Sequence, residues 1–157
     1  MPTRDPETFG FLVTDITRLL RAELDRRTSD AGLGLTPGDG RTLAQAARAG
    51  AVRQSVLAER VGVEAMTLSG SLDRLEAQGL IERRPDPADR RAKLVVPTSA
   101  GIDVLERIEP IAKALRCDAA SGLGEAEWLR FMEMLKLVRT NLTAARAEGV
   151  RKESPQA

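Results

Sequence analysis

At 157 residues and 17.0 kDa the chain is long enough for one domain, or for one domain with an oligomerisation arm. Hydrophobic residues make up 42% and aromatics 3%, so a core must be built from Leu, Ile, Val and Ala, with no aromatic platform on which bases stack. The net charge of +1 is uninformative as a total, the absence of His removes the commonest catalytic base and metal ligand, and the single Cys117 excludes an intramolecular disulfide.

Residues 1–6 are polar and Pro-punctuated and read as a frayed lead-in. From residue 7 to about residue 31, Phe9, Leu12, Ile16, Leu19, Leu20 and Leu24 recur every three or four positions, the pattern of a long amphipathic helix. GLGL breaks it. Thr36-Pro37 then opens a second helix, a capping hydroxyl followed by Pro at the first helical position, and Gly50 stops it.

The stretch from Arg53 to Pro97 organises the rest. RQSVLAERVG predicts a short helix with Val56, Leu57 and Val61 on one face, ended by Gly62 in the left-handed conformation. Arg53 stands where a Ser or Thr cap is expected, so that helix starts poorly capped. The next helix, residues 64–78, carries Leu68, Leu72 and Leu75 with Leu80 beyond it, one apolar stripe closed by Gly79. LIERRP and AKLVVP are β-prone runs around DPADRR, each ending at a Pro, and predict a hairpin with a charged tip. Two helices joined by a tight turn and followed by a hairpin make a winged helix, which puts its second helix into a DNA major groove while the hairpin tip reaches the flanking backbone.

Beyond the hairpin, Thr98 or Ser99 opens a helix with Ile102, Leu105, Ile108, Ile111, Ala112 and Leu115 along its seam, kinked at Pro110. Gly122 and Gly124 separate it from a last helix, residue 125 to about residue 147, in which Trp128, Phe131, Met132, Leu135, Val138 and Leu142 repeat at three and four. The tail from residue 148 is polar and reads as disordered. The fold class expected is mainly α with a small β-wing: an N-terminal dimerisation helix (1–33), a winged helix-turn-helix (34–97), C-terminal dimerisation helices (98–147) and a tail (148–157). A single copy has little against which to bury three long apolar seams, so a symmetric homodimer is the economical arrangement.

Charge sharpens the reading. From Arg41 to Lys93 there are ten Lys/Arg against seven Asp/Glu, and from Arg83 to Lys93 five bases against two acids, a modest basic footprint that suits a duplex backbone. With no His, no Gly-rich phosphate loop and no metal-ligand spacing, neither an enzyme nor a metal or cofactor site is expected. No apolar run approaches the ~18–20 residues of a membrane span and MPTRDPETFG lacks a signal-peptide core, so no membrane association and a cytoplasmic location are expected.

The stretch QSVLAERVGVEAMTLSGSLDRLEAQGLIERRPDPADRRAKLVVPTSAG, with the LTP that opens an upstream helix, resembles the MarR family of winged-helix transcriptional regulators. DPxDRR at the hairpin tip is its most specific part. The resemblance implies a triangular homodimer, each winged helix on half of a pseudo-palindromic operator, acting as a repressor. It also implies release from DNA by a small phenolic or hydrophobic effector or by oxidation of a cysteine.

Carried over residue by residue, the resemblance places Thr67 and Ser69 at hydroxyl positions near the start of the recognition helix, where its N–H groups also favour phosphate. Arg74 matches a basic position suited to guanine or phosphate. Gly70, where many relatives carry Arg, and Ser71, usually apolar in relatives, depart from the pattern but lie on the same predicted surface. Arg90 and Arg91 resemble the pair that enters or grips the minor groove, with Gln54 and Lys93 as phosphate contacts. Asp86 and Asp89 are expected to cap the tip, and Glu64 or Asp73 to tether a wing arginine when DNA is absent. An effector pocket would lie between the dimer helices and the winged helix, with Phe9, Leu12, Ile16 and Leu43 on its wall, although these read equally well as core. Cys117 reads as a small buried hydrophobe; the family's peroxide-sensing thiols lie in the first helix, which has none here. The alternative for the whole constellation is a winged helix used for protein contacts, its wing arginines solvated.

Overall fold

The structure, a computed structural model, describes residues 7–153; of Arg90 and residues 149–153 it describes the backbone alone. The polar lead-in expected over residues 1–6 lies outside the described residues. Helices and strands run in the order α1 (Phe9–Asp30), α2 (Pro37–Ala49), β1 (Val52–Arg53), α3 (Gln54–Val61), α4 (Ala65–Ala77), β2 (Ile81–Asp86), β3 (Asp89–Pro97), α5 (Ser99–Ala119) and α6 (Glu125–Glu153). Two compact units divide the chain between Leu115 and Arg116.

The core of the first unit sits under the recognition helix. Leu68, Leu72 and Leu75 of α4 are fully buried, with Leu80 just beyond, and they meet Leu43 and Ala46 of α2, Leu57 and Ala58 of α3, and Val95 of β3. The stripe read from α4 is therefore the seam that holds it. On α3 the buried pair is Leu57 and Ala58, whereas Val56 is exposed and Val61 half-buried, so the face inferred from Val56 is rotated. In two turns of helix three apolar residues fit more than one arc, and packing against α2 selects the arc.

Local chemistry fixes the ends. The Thr36 hydroxyl accepts from the Asp39 amide at 3.3 Å, with Pro37 behind it at the first helical position. Gly62 closes α3 at φ 75°, and its amide reaches the Ala58 carbonyl. Arg53 provides no side-chain cap. Its backbone instead forms half of β1, a strand too short to leave an alternation in the sequence, which pairs antiparallel with Val95 and Leu94. The sheet order is β1-β3-β2, so β2 is an edge strand. That explains why β2 runs on past Pro85 to Asp86 instead of stopping at the Pro: an edge position tolerates the missing N–H, and the register slips there.

α5 is one helix from Ser99 to Ala119 with Pro110 inside it. Its start is pinned to the end of α4: Thr98 donates its amide to the Leu80 carbonyl and its hydroxyl to the Gly79 carbonyl, and that hydroxyl accepts from the Gly101 amide. The second unit is essentially α6, which ends at Glu153 rather than near residue 147, so the first part of the predicted disordered tail is helical; residues 154–157 lie outside the described residues. Trp128 and Phe131 stack one turn apart on it, ring centroids 5.6 Å apart. Apolar faces remain uncovered in the single chain: Phe9, Phe11, Leu12, Val13, Ile16, Leu19 and Leu20 on α1, and Leu129, Leu135 and Leu142 on α6. Among the described residues no helix is long and apolar enough to cross a membrane.

Candidate nucleic-acid interface

The N-terminus of α3, the middle of α4 and the wing enclose a groove of about 460 Å³ lined by Arg53, Gln54, Ser55, Ser69, Arg83, Arg91, Ala92 and Lys93. It brings together four predicted contact residues, Gln54, Ser69, Arg91 and Lys93, which lie on three separate elements. Two of its cations are held by the fold. Arg53 donates from Nε to Asp86 at 2.6 Å, and Arg83 spans Asp73 at 2.6 Å and Glu76 at 3.0 Å. The Arg91 and Lys93 side chains have no acidic partner among the described residues.

The acids of the wing do what turn acids do. Asp86 accepts from the Ala88 amide at 2.8 Å and Asp89 from the Arg91 amide at 3.0 Å, closing the tip. The Ala88 amide, and after it the Arg53 guanidinium, hold the Asp86 carboxyl below the ordinary carboxylate range. The tether expected between the recognition helix and the wing exists through Asp73, but its partner is Arg83 at the base of the wing rather than an arginine of the tip. The side chain of Arg90 lies outside the described residues.

Along α4 the predicted surface divides. Thr67 is exposed in the first turn, beside Met66, which is 88% exposed. Ser71 is not on that surface: it is buried, and its hydroxyl donates to Asp39 of α2, with Thr42 Oγ1 3.2 Å away. Arg74 is half-exposed, but it too is bound to Asp39, Nε to Oδ2 at 2.9 Å and Nη2 to Oδ1 at 2.8 Å. Gly70 lies beneath it; a Cβ there would meet Arg74 Nη1 at 3.6 Å. Asp39 is fully buried. Burial, the largest single influence, pushes its carboxyl up, but the hydrogen bonds of Arg74, Ser71 and Thr36 together with the Arg74 charge hold it below the ordinary value. Asp39 raises the Arg74 guanidinium in turn. Sequence reading missed Asp39, because an acid three residues after Thr36 reads as a first-turn helix acid and nothing local points to α4.

A sequence model of the MarR family matches residues 35–93, from the start of α2 to the wing. The solved structure of transcriptional regulator PA3341 is similar at 38% identity over 87% of this chain and 99% of its own, with a TM-score of 0.72. A MarR-family transcriptional regulator from Silicibacter pomeroyi is similar at 30% identity over 84% of this chain and 88% of its own, also with a TM-score of 0.72. The chain belongs to the MarR family. Bordetella bronchiseptica BpsR, whose DNA binding is regulated by 6-hydroxynicotinic acid, is similar at 25% identity over 88% of this chain and 98% of its own, with a TM-score of 0.69.

This MarR-family chain is thus a winged-helix transcriptional regulator by sequence and fold, and the groove above lies between its helix-turn-helix and its wing. A second cavity, about 270 Å³, opens between α1, α2, α3 and α5, lined among others by Arg21, Leu24, Leu35, Arg60, Val61, Leu105 and Ile108. None of the four residues expected on an effector wall lines it. Leu43 is fully buried in the core, and Phe9, Leu12 and Ile16 lie exposed toward the other end of α1. The walls come instead from the C-terminal half of α1, where Leu24 continues the same stripe. Cys117 is exposed rather than a buried hydrophobe. Among the described residues no three His, Cys, Asp or Glu are grouped to hold a metal ion.

Proposed function

We propose that this chain is a cytoplasmic repressor that binds a pseudo-palindromic operator as a homodimer. The observation that carries the reading is the groove in which Gln54, Ser69, Arg91 and Lys93 converge, Arg91 and Lys93 having no acidic partner among the described residues. Unpaired cations on a wing and an amide-bearing helix start suit phosphate, which positions a protein on a duplex, while α4 presents Thr67 and Arg74 to the bases. Replacing Arg90 and Arg91 together with Ala is expected to weaken binding to every duplex sequence and to flatten the dependence of log K on log salt by roughly one to two units, since each phosphate contact contributes about 0.9. Fluorescence anisotropy on random and selected duplexes over a salt series measures both; an unchanged slope removes the wing from the interface.

The uncovered apolar faces of α1 and α6 support the dimer, because a folded single chain would leave them in water. Sedimentation is expected to give twice the chain mass at micromolar concentration, with the recognition helices about 34 Å apart, one duplex turn. A monomer at that concentration removes the dimer. The cavity between α1, α2, α3 and α5 supports control by a small phenolic or hydrophobic effector. Its apolar walls and the Arg21 and Arg60 side chains fit a single-ring compound, and BpsR responds to one of that size.

A further inference from the structure

We propose that Asp39 is a specificity-determining positioning residue, holding Arg74 from behind so that the remaining edge of its guanidinium reads a guanine. The inference rests on the DNA-binding reading above and assigns within it the source of base preference. A guanidinium carries five N–H donors in a fixed plane. Asp39 takes the Nε hydrogen and one on Nη2, at 2.9 and 2.8 Å. What remains is the Nη1–Nη2 edge, two parallel donors of the kind that match O6 and N7 of guanine in the major groove.

Two features make this a mounting rather than a passing ion pair. The carboxylate is fully buried and braced by the Ser71 hydroxyl, so it cannot turn toward water. Arg74 itself is 53% exposed, so the side chain remains accessible to a ligand while two of its donors are held by Asp39. A side chain already fixed in its reading geometry loses less freedom on binding than a free arginine, and it rejects bases that cannot accept both hydrogens.

The test is selection from a randomised duplex pool by the full chain and its variants, followed by affinities for the selected site and for the same site with one guanine per half-site replaced by adenine. The parent is expected to discriminate at least about tenfold at a position where Arg74→Ala abolishes the preference. Asp39→Asn is expected to reduce that ratio to within about threefold while leaving low-salt binding to random duplex unchanged, and to do nothing further in the Arg74→Ala background. Ser71→Ala, which removes the brace alone, should lower the ratio in the same direction, and it decides the question if Asp39→Asn does not fold. Full discrimination in the Asp39 or Ser71 variant, no Arg74-dependent guanine in the parent, or a parallel loss of specific and random binding would overturn the inference. A parent that retards no duplex in dilute salt overturns the DNA-binding reading as well.

Discussion

Gly101→Ala is expected to destabilise the winged-helix unit by about 3 kcal/mol, the upper end of what overpacking costs. On helix propensity alone the change should be favourable by roughly 1 kcal/mol, because Gly101 lies inside α5. Packing reverses the sign. A Cβ on Gly101 would sit 2.1 Å from the Leu80 carbonyl oxygen, 3.1 Å from its carbon and 3.2 Å from Leu43 Cδ1. The first two are backbone atoms and cannot rotate away, and the Leu80 carbonyl is itself fixed by the Thr98 amide at 3.0 Å. Room for a methyl group therefore requires α5 to move off the end of α4, which uncovers Leu43 and Leu80. Urea denaturation read by circular dichroism measures the loss as a lower midpoint at unchanged slope. A midpoint equal to or above the parent's would show that α5 does not approach α4 this closely.

Gly101 also marks where sequence reading stops. In PTSAG a glycine reads as a weak helix residue, and only the carbonyl across the helix junction reveals why it is there. The same division runs through the fold. The α4 stripe, the Thr36-Pro37 start and the Gly62 stop were legible because each follows from residues within a turn or two of one another. β1 was not, since two residues show no period, and Val56 was placed inward because α3 is too short for its period to choose a face.

The candidate site divides in the same way. Gln54, Ser69, Arg91 and Lys93 could be placed beside one another because the helix-turn-helix and hairpin pattern fixes which elements are neighbours. Ser71 went to the wrong side: a small hydroxyl beside Leu72 reads as surface unless a buried acceptor is known. Its acceptor, Asp39, is 32 residues earlier in the chain. Leu43 likewise belongs to the core, and the cavity beside it is walled by residues whose convergence depends on how α1, α2 and α5 pack. What the sequence hides, in each case, is a contact between elements distant along the chain.

The buried carboxylate gives the second large effect, and its sign can be worked out with pH. Asp39→Ala is expected to cost about 2–3 kcal/mol near neutral pH, since it removes the acceptor for Ser71 inside the core and the partner of Arg74. The folded-state carboxyl is held below the ordinary aspartate value of 3.8. A depressed folded value means that the charge-linked part of the stabilisation is fully present above about pH 4 and is lost as pH falls through the lower folded value, so the gap between parent and Asp39→Ala should narrow in that acid range. Arg74→Ala must behave oppositely. It leaves the carboxylate buried with only the Ser71 and Thr36 hydroxyls, burial, the largest single influence, then dominates, and the carboxyl should titrate above the ordinary range. That variant is expected to recover stability relative to the parent as soon as acid begins to protonate Asp39, at a pH where Asp39→Ala has not yet changed. Urea midpoints for the three proteins between pH 7 and pH 3 separate the two courses. Parallel pH curves for all three would mean that no charge is held at this junction, and that Arg74 lies free on the helix with nothing behind it.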